Sequence, residues 1–401
     1  MNKNRFYKNS IRVVIIVLLH VNSVLLLAQF AEGGHANGDK FYAEIPFEYS
    51  YDKIVINASI EGVEGRYLVD TGAMCILFKD STQQNFSNTQ EIRIGDASGK
   101  KEMAQQVVAS QINVGGLVYQ DIPILYVDVF EGPFRCLGYK GIIGSNLLRF
   151  GAFKVDWQQQ KLIIADSYQT IVGEKVKGSK LKVNKQQSSP FVKVKVNDRD
   201  IKWVLIDTGS GDSFALWNKT ADWLQKRAVI NAPLYVSDGT NSHGAWGAGE
   251  FESQIHNQIN LQIGQSFFND VIVEAGAGKS KIGMKVLEQA DFILDYPQKR
   301  FFFHVKEPQS IKARSFGLDL IMKDELFVVN GVWQGSKADS LGIEKGDILV
   351  DVEGVDFKAK SACEVFLSLK DITEDKDHLV FVIQKSEGEE VEKYHLSRIK
   401  F

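Results

Sequence analysis

The chain has 401 residues, enough for two or three domains, and its 44% hydrophobic and 24% charged composition is that of a globular protein with a sizeable core. A formal net charge of −3, with no lysine/arginine cluster beyond the N-terminus, argues against a nucleic-acid binder. Seven prolines and 34 glycines among many Val/Ile/Phe runs favour strands and tight turns over long helices.

The first element expected is a targeting segment. Lys3, Arg5, Lys8 and Arg12 precede the apolar run VVIIVLLHVNSVLLLA at 13–28, and small residues follow at Ala28 and Ala31. This predicts a secretory signal peptide over 1–28 with a linker at 29–40 and export of the remainder; the alternative is an uncleaved membrane anchor. No cysteine ends the run to carry a lipid.

Residues 41–168 and 169–306 then repeat one plan. Each half opens with alternating strands, Asp52–Ala58 and Phe191–Val196, whose period of two reads as half-buried β. Each continues into an apolar run ending in Asp-Thr-Gly: Asp70-Thr71-Gly72-Ala73 and Asp207-Thr208-Gly209-Ser210. A glycine-centred hairpin follows, Gly95-Asp96-Ala97-Ser98-Gly99 within 94–99 and its counterpart at 236–241. Each half closes on a brace, Gly141-Ile142-Ile143-Gly144-Ser145-Asn146 and Lys281-Ile282-Gly283-Met284, and then on a strand ending in Asp156 or Asp295. The two aspartates are expected to cap strand ends near the surface. Gly144 lies 74 residues beyond Asp70 and Gly283 lies 76 beyond Asp207. Matched order at nearly matched spacing indicates duplication into two lobes of one unit.

The chemistry follows from the residue types. An aspartate at a turn tip, followed by glycine, holds its carboxyl group over open space while the backbone approaches closely. Two such carboxyl groups about 3 Å apart cannot both ionise, so they share a proton and titrate as a pair. One member can then take a proton from water while the other donates to a carbonyl oxygen.

On these motifs the chain resembles the pepsin/retropepsin-type aspartic proteases, and the Gly141–Leu148 segment is similar to the brace of retroviral enzymes. The resemblance covers 41–306 and implies a mainly β fold of two barrel-like lobes, with Asp70 and Asp207 as the catalytic dyad. It implies interlocking hydroxyls at Thr71 and Thr208, supporting roles for Gly72, Gly209 and Ser210, braces at Ile142, Ile143, Gly144, Ile282 and Gly283, and a flap at Gly95–Gly99. It further implies protein or peptide substrates, no metal or other cofactor, and a monomer supplying both aspartates. Three departures stand out: Lys281 replaces an apolar brace residue, neither hairpin has a tyrosine at its tip, and the residue after the glycine is Ala73 in one turn and Ser210 in the other. Serine at that place can stabilise a carboxylate and alanine cannot, so a less acidic optimum than for two serines is expected.

Other motifs carry less. Glu274–Ser280 ends like a phosphate loop but has Val273 where glycine is required. The seven histidines show no paired spacing, and no Gly-x-Ser-x-Gly elbow occurs. With three cysteines, Cys75, Cys136 and Cys363, an exported chain leaves at least one unpaired or pairing elsewhere. Cys75 and Cys136 share a lobe and form a candidate bridge that spacing does not establish.

Residues 307–401 change plan. Arg314–Leu318, Gly335–Ile343 and Gly346–Val350, followed by an apolar helix face at Ala362, Val365, Phe366 and Leu369, resemble the PDZ domain of bacterial envelope proteases. This resemblance implies a small β-sandwich with two helices, a C-terminal peptide ligand, and a carboxylate-binding loop at Ser315, Phe316, Gly317 and Leu318. A non-catalytic envelope adaptor, with lobes and PDZ both binding peptide, is the alternative functional reading.

Overall fold

The computed structural model describes residues 33–400, apart from 80–85, 87, 88, 97, 129–131, 175, 176, 240–242, 245, 246, 250, 313, 359, 374, 387 and 389. The expected signal segment and flap residue Ala97 lie outside the described residues, as do positions 240 and 241 of the second hairpin.

The protein is mainly β. In the first lobe the strand Tyr42–Ser50 alternates over residues 42–48, with Ala43, Ile45 and Phe47 inward and Tyr42, Glu44, Pro46 and Glu48 outward. It pairs with Lys53–Ile60 through a two-residue turn, Tyr51–Asp52, in which both residues adopt left-handed φ of 53° and 55°. Such a turn matches the natural twist of a hairpin. Val63–Asp70 comes next and lies parallel to Gly141–Gly144, in register from Tyr67↔Gly141 to Asp70↔Gly144. In the second lobe Arg199–Ile206 lies parallel to Lys281–Ile282, with Ile206 opposite Ile282.

The lobes join through Ala152–Asp156, which pairs antiparallel with Phe292–Asp295. A single buried cluster runs through both lobes, including Ile54, Tyr67, Leu148, Phe153, Phe292 and Leu294. Burying each such side chain contributes about 1.5–3 kcal/mol, so this apolar seam supplies a large share of what holds the lobes together. Asp156 and Asp295 sit inside this seam, not near the surface: they are 6% and 0% exposed. Each still caps a turn, accepting from the amides of Gln159 and Gln298 respectively.

His35–Ala36 adds a short strand to Leu117–Val127, and at the other end Ile311 still belongs to the two-lobe core. Beyond it, Leu318–Lys323, Leu326–Val332, Ile348–Val352, His378–Gln384 and Val391–Ser397 form a sheet with a core of its own, covered by the helix Ala362–Thr373.

That helix is fastened to the first lobe. Cys363 is disulfide-bonded to Cys136, with Cα atoms 5.0 Å apart, and Phe366 stacks on Tyr51 with ring centroids 5.2 Å apart. The 3-10 turn Gly132–Leu137, which carries Cys136, lies against both the helix and the strand Leu318–Lys323. Arg135 also pairs with Glu325 at 2.9 Å. The candidate Cys75–Cys136 bridge is therefore not formed. Cys75 is buried in the first lobe, where its sulfur accepts the Gly144 amide, while Cys136 faces the C-terminal unit.

Candidate active site

Asp70 ends the strand Val63–Asp70, and Asp207 follows the strand Arg199–Ile206. The fold brings the two turns face to face. A Cβ added to Gly72 would lie 2.6 Å from Asp207 Oδ1, and one added to Gly209 would overlap the Asp70 carboxyl group. Glycine is required at both places because each backbone passes directly against the opposite carboxyl group. Asp70 Oδ1 accepts from the amides of Gly72 (2.6 Å) and Ala73 (3.1 Å), while Asp207 Oδ1 accepts from Gly209 (3.1 Å).

The threonines point away from the cleft into a buried crossing. Thr71 Oγ1 donates to Ile206 O and accepts from the Thr208 amide; Thr208 Oγ1 donates to Val69 O and accepts from the Thr71 amide. Behind them, Gly144 presses against the Met74–Cys75 backbone and Gly283 against Asp212 O, with no room for a side chain at either. Ile142, Ile143 and Ile282 fill the core behind the turns.

Further side chains support the turns. Ser145 Oγ donates to Thr71 O at 2.6 Å and lies 3.0 Å from the Tyr296 hydroxyl. Asn146 accepts from the Cys75 amide and donates to Pro123 O. Gln187, from the second lobe, donates to Gly72 O at 2.6 Å. Ser145 and Asn146 lie within the brace segment that the sequence shows, whereas Gln187 carries no local signal.

Ser210 departs from expectation. Its hydroxyl donates to Asp212 Oδ2 at 2.8 Å rather than stabilising the facing carboxyl groups, because Asp212 lies two residues along in the same turn. Asp212 in turn pairs with Lys281 at 2.8 Å, which accounts for a lysine in the second brace. Desolvation acts on both members, yet Lys281 and Ser210 hold the Asp212 carboxyl below its ordinary range, and Asp212 and Asp207 keep the lysine above its own. The Asp70 carboxyl moves the other way: burial, reinforced by the charge of Asp207, raises its pKa.

The candidate flap is a hairpin tip closed by Asp96, which accepts from Ser98 Oγ (2.7 Å) and the Lys100 amide (3.0 Å). Its carboxyl group abuts Gly244 of the second lobe, so tips from the two lobes meet; Gly95 and Gly99 flank it and Ser98 is buried. The second hairpin is occupied otherwise. Ser237 bridges to Trp333, and Gly239 packs against Asn330 O in the C-terminal unit.

In that unit Ser315 Oγ accepts the Gly317 amide, and Gly317, at φ +89°, offers its carbonyl to the Trp333 amide. Phe316 and Leu318 are buried. Among the described residues no group of three or more His, Cys, Asp or Glu side chains is placed to hold a metal ion.

Residues 56–147 match the family model described as aspartyl protease. A retropepsin-like aspartic protease from Rickettsia conorii is 22% identical over 31% of this chain and 92% of its own, with a TM-score of 0.25. The aspartic proteinase from Irpex lacteus is 11% identical over 65% and 96%, with a TM-score of 0.37. The basic 7S globulin from soybean is 12% identical over 66% and 95%, with a TM-score of 0.38. No curated protein matches the chain.

Proposed function

We propose that this chain is an aspartic endopeptidase in which Asp70 and Asp207 together activate water. The observation that carries this reading is the mutual fit of the two turns, with a glycine of each against the aspartate of the other and the crossed threonines beneath. Such a floor holds two carboxyl groups together without side-chain freedom, which is the preorganisation the reaction needs. The ionised carboxylate takes a proton from a water between the two; the protonated one donates to the scissile carbonyl oxygen as the water attacks. The amine then leaves with a proton from the pair, and no covalent intermediate forms.

The meeting of Asp96 and Gly244 supports a flap closing over an extended peptide. In the same reading the lobes are duplicated halves of one monomer, the chain is exported, and the C-terminal unit is a PDZ domain that recognises a substrate or partner by its terminus.

The test is cleavage of an unfolded protein between about pH 4 and pH 7 by the full chain and its Asp70→Asn variant. Cleavage lost in the variant supports the dyad. Equal behaviour of the two, with peptide binding retained, would favour the adaptor reading.

A further inference from the structure

The helix Ala362–Thr373 uses two neighbouring faces. Ala362, Val365, Leu369 and Ile372 pack into the core of the C-terminal unit. Cys363, Phe366 and Lys370, also at helical spacing, meet the first lobe: Cys363 is bonded to Cys136, Phe366 stacks on Tyr51, and the Lys370 ammonium lies 4.9 Å from the centre of the same ring.

The strand Leu318–Lys323, whose Leu318 shares that core with Ala362 and Val365, is the end strand of its sheet and pairs with Leu326–Val332 alone. Among the described residues no further backbone hydrogen bond reaches it. An end strand beside a helix is where an extended peptide adds to a sheet. Here the first lobe comes to that place, since its 3-10 turn Gly132–Leu137 lies against both the strand and the helix.

The turn is built for this position. Phe134 and Leu137, three apart and so on one side of a 3-10 turn, pack on the first-lobe cluster that includes Leu68, Ile76 and Tyr139. Arg66 fixes the same end by donating to Leu137 O at 2.9 Å. The two residues between them reach the C-terminal unit. Arg135 pairs with Glu325, just beyond the end strand, and Cys136 is bonded to Cys363, near the start of the helix. Each wall is thus held by one side chain of the turn.

The two fastenings are unequal. Arg135 and Glu325 are both half-exposed, so water screens their pairing and the covalent bond keeps the turn in place. Neither Cys136 nor Cys363 is buried, which leaves the bond open to a thiolate from outside. Cys75 is no such thiolate: it is buried, and burial pushes its thiol up to about 12.

Resting on the reading of the C-terminal unit as a peptide-binding domain, we propose that the turn Gly132–Leu137 is a built-in lid on that unit's groove, latched by the Cys136–Cys363 bond and released by a dithiol reductant. In the release the S–S bond breaks and both sulfurs become thiols. The dithiol supplies the two electrons and two protons and closes to its own disulfide. In an oxidising compartment the bond persists, so the closed groove is the resting state.

The experiment is fluorescence anisotropy of a fluorescein-labelled mixture of decapeptides with free C-terminal carboxylates. It is titrated with the full chain carrying Asp70→Asn, which keeps the peptides whole, before and after dithiothreitol, and with the same chain bearing Cys363→Ser or Arg135→Glu. Hydrogen exchange over 318–323 is followed in the same samples, with the interior strand His378–Gln384 reporting that the unit stays folded. The reduced chain and Cys363→Ser should bind about tenfold more tightly than the oxidised chain, because apparent affinity follows the fraction of open groove, and exchange over 318–323 should rise. Equal binding by oxidised and reduced chains overturns the proposal. Faster exchange over 318–323 with no binding in any form upholds the lid and rejects the peptide-binding reading, whereas unchanged exchange rejects the lid. If the unit unfolds without its bond, Arg135→Glu carries the test, since it keeps the bond and repels Glu325. Binding several-fold tighter in that variant supports the lid, and unchanged binding overturns it.

Discussion

Thr71 and Thr208 hold each other's turn in place. The Thr71 hydroxyl donates to Ile206 O at 2.6 Å and the Thr208 hydroxyl to Val69 O at 2.8 Å, each carbonyl belonging to the residue just before the opposite aspartate. Both threonines are 0% exposed, so no water can replace either bond.

Thr71→Val is expected to leave Ile206 O and the Thr208 amide without partners. At about 1–3 kcal/mol for each buried unsatisfied group, the loss should be roughly 2–6 kcal/mol. Thr71→Ser, which keeps the hydroxyl, should recover most of it. Denaturant melts of the two variants check this, and equal losses in both would show that methyl packing rather than the crossed bonds sets the stability.

Asp70 has a pKa raised in the folded protein by burial and by Asp207. Its folded form therefore holds a proton that the unfolded chain releases above about pH 4, so stability falls as pH rises from there through the folded value. Asp70→Asn removes this penalty. It should melt higher than the native chain near pH 7, by more than about 1 kcal/mol, with the gain vanishing toward pH 4. Thermal melts across that range decide it, and a gain that grows in acid would refute the assignment.

Lys281→Met strips the partner from Asp212. Breaking a fully buried pair costs about 3–5 kcal/mol, but the Asp212 side chain is 43% exposed and water screens it, so about 1–2 kcal/mol is expected. The double variant Lys281→Met, Asp212→Asn should regain much of that. A double-mutant cycle with no coupling would mean that the ion pair is incidental to the second brace.

Phe366→Ala removes the ring under which Tyr51 is pinned. The lost stack should cost roughly 0.5–1.5 kcal/mol beyond the area that the ring buries, read as a lower melting temperature. An unchanged melting temperature would show that this contact does not help fasten the C-terminal unit to the first lobe.

What could be read in the sequence was what local order encodes. The Asp-Thr-Gly turns, both braces and the alternating strands are contiguous patterns, and the structure places Asp70 opposite Asp207 and Gly144 and Gly283 flush against backbone. Lys281 was visible as a departure, but its reason was not, because Asp212 lies in a different strand–turn unit and the pair exists only after the lobe closes. The bond between Cys136 and Cys363 was illegible for a similar reason. Its partners are 227 residues apart and meet only because the C-terminal helix lies on the first lobe. The role expected for Ser210 failed on a competition that composition cannot show, since Asp212 two residues away takes the hydroxyl.

The Cys136–Cys363 bond also has a consequence for how the chain comes apart. It closes a covalent ring that contains the whole second lobe, Asp207 included. One cut anywhere between those cysteines opens the ring without releasing a fragment, so a nicked molecule keeps its full mass until a reductant separates the pieces. An enzyme that cuts itself once within that ring would migrate as intact on a non-reducing gel and as two bands on a reducing one.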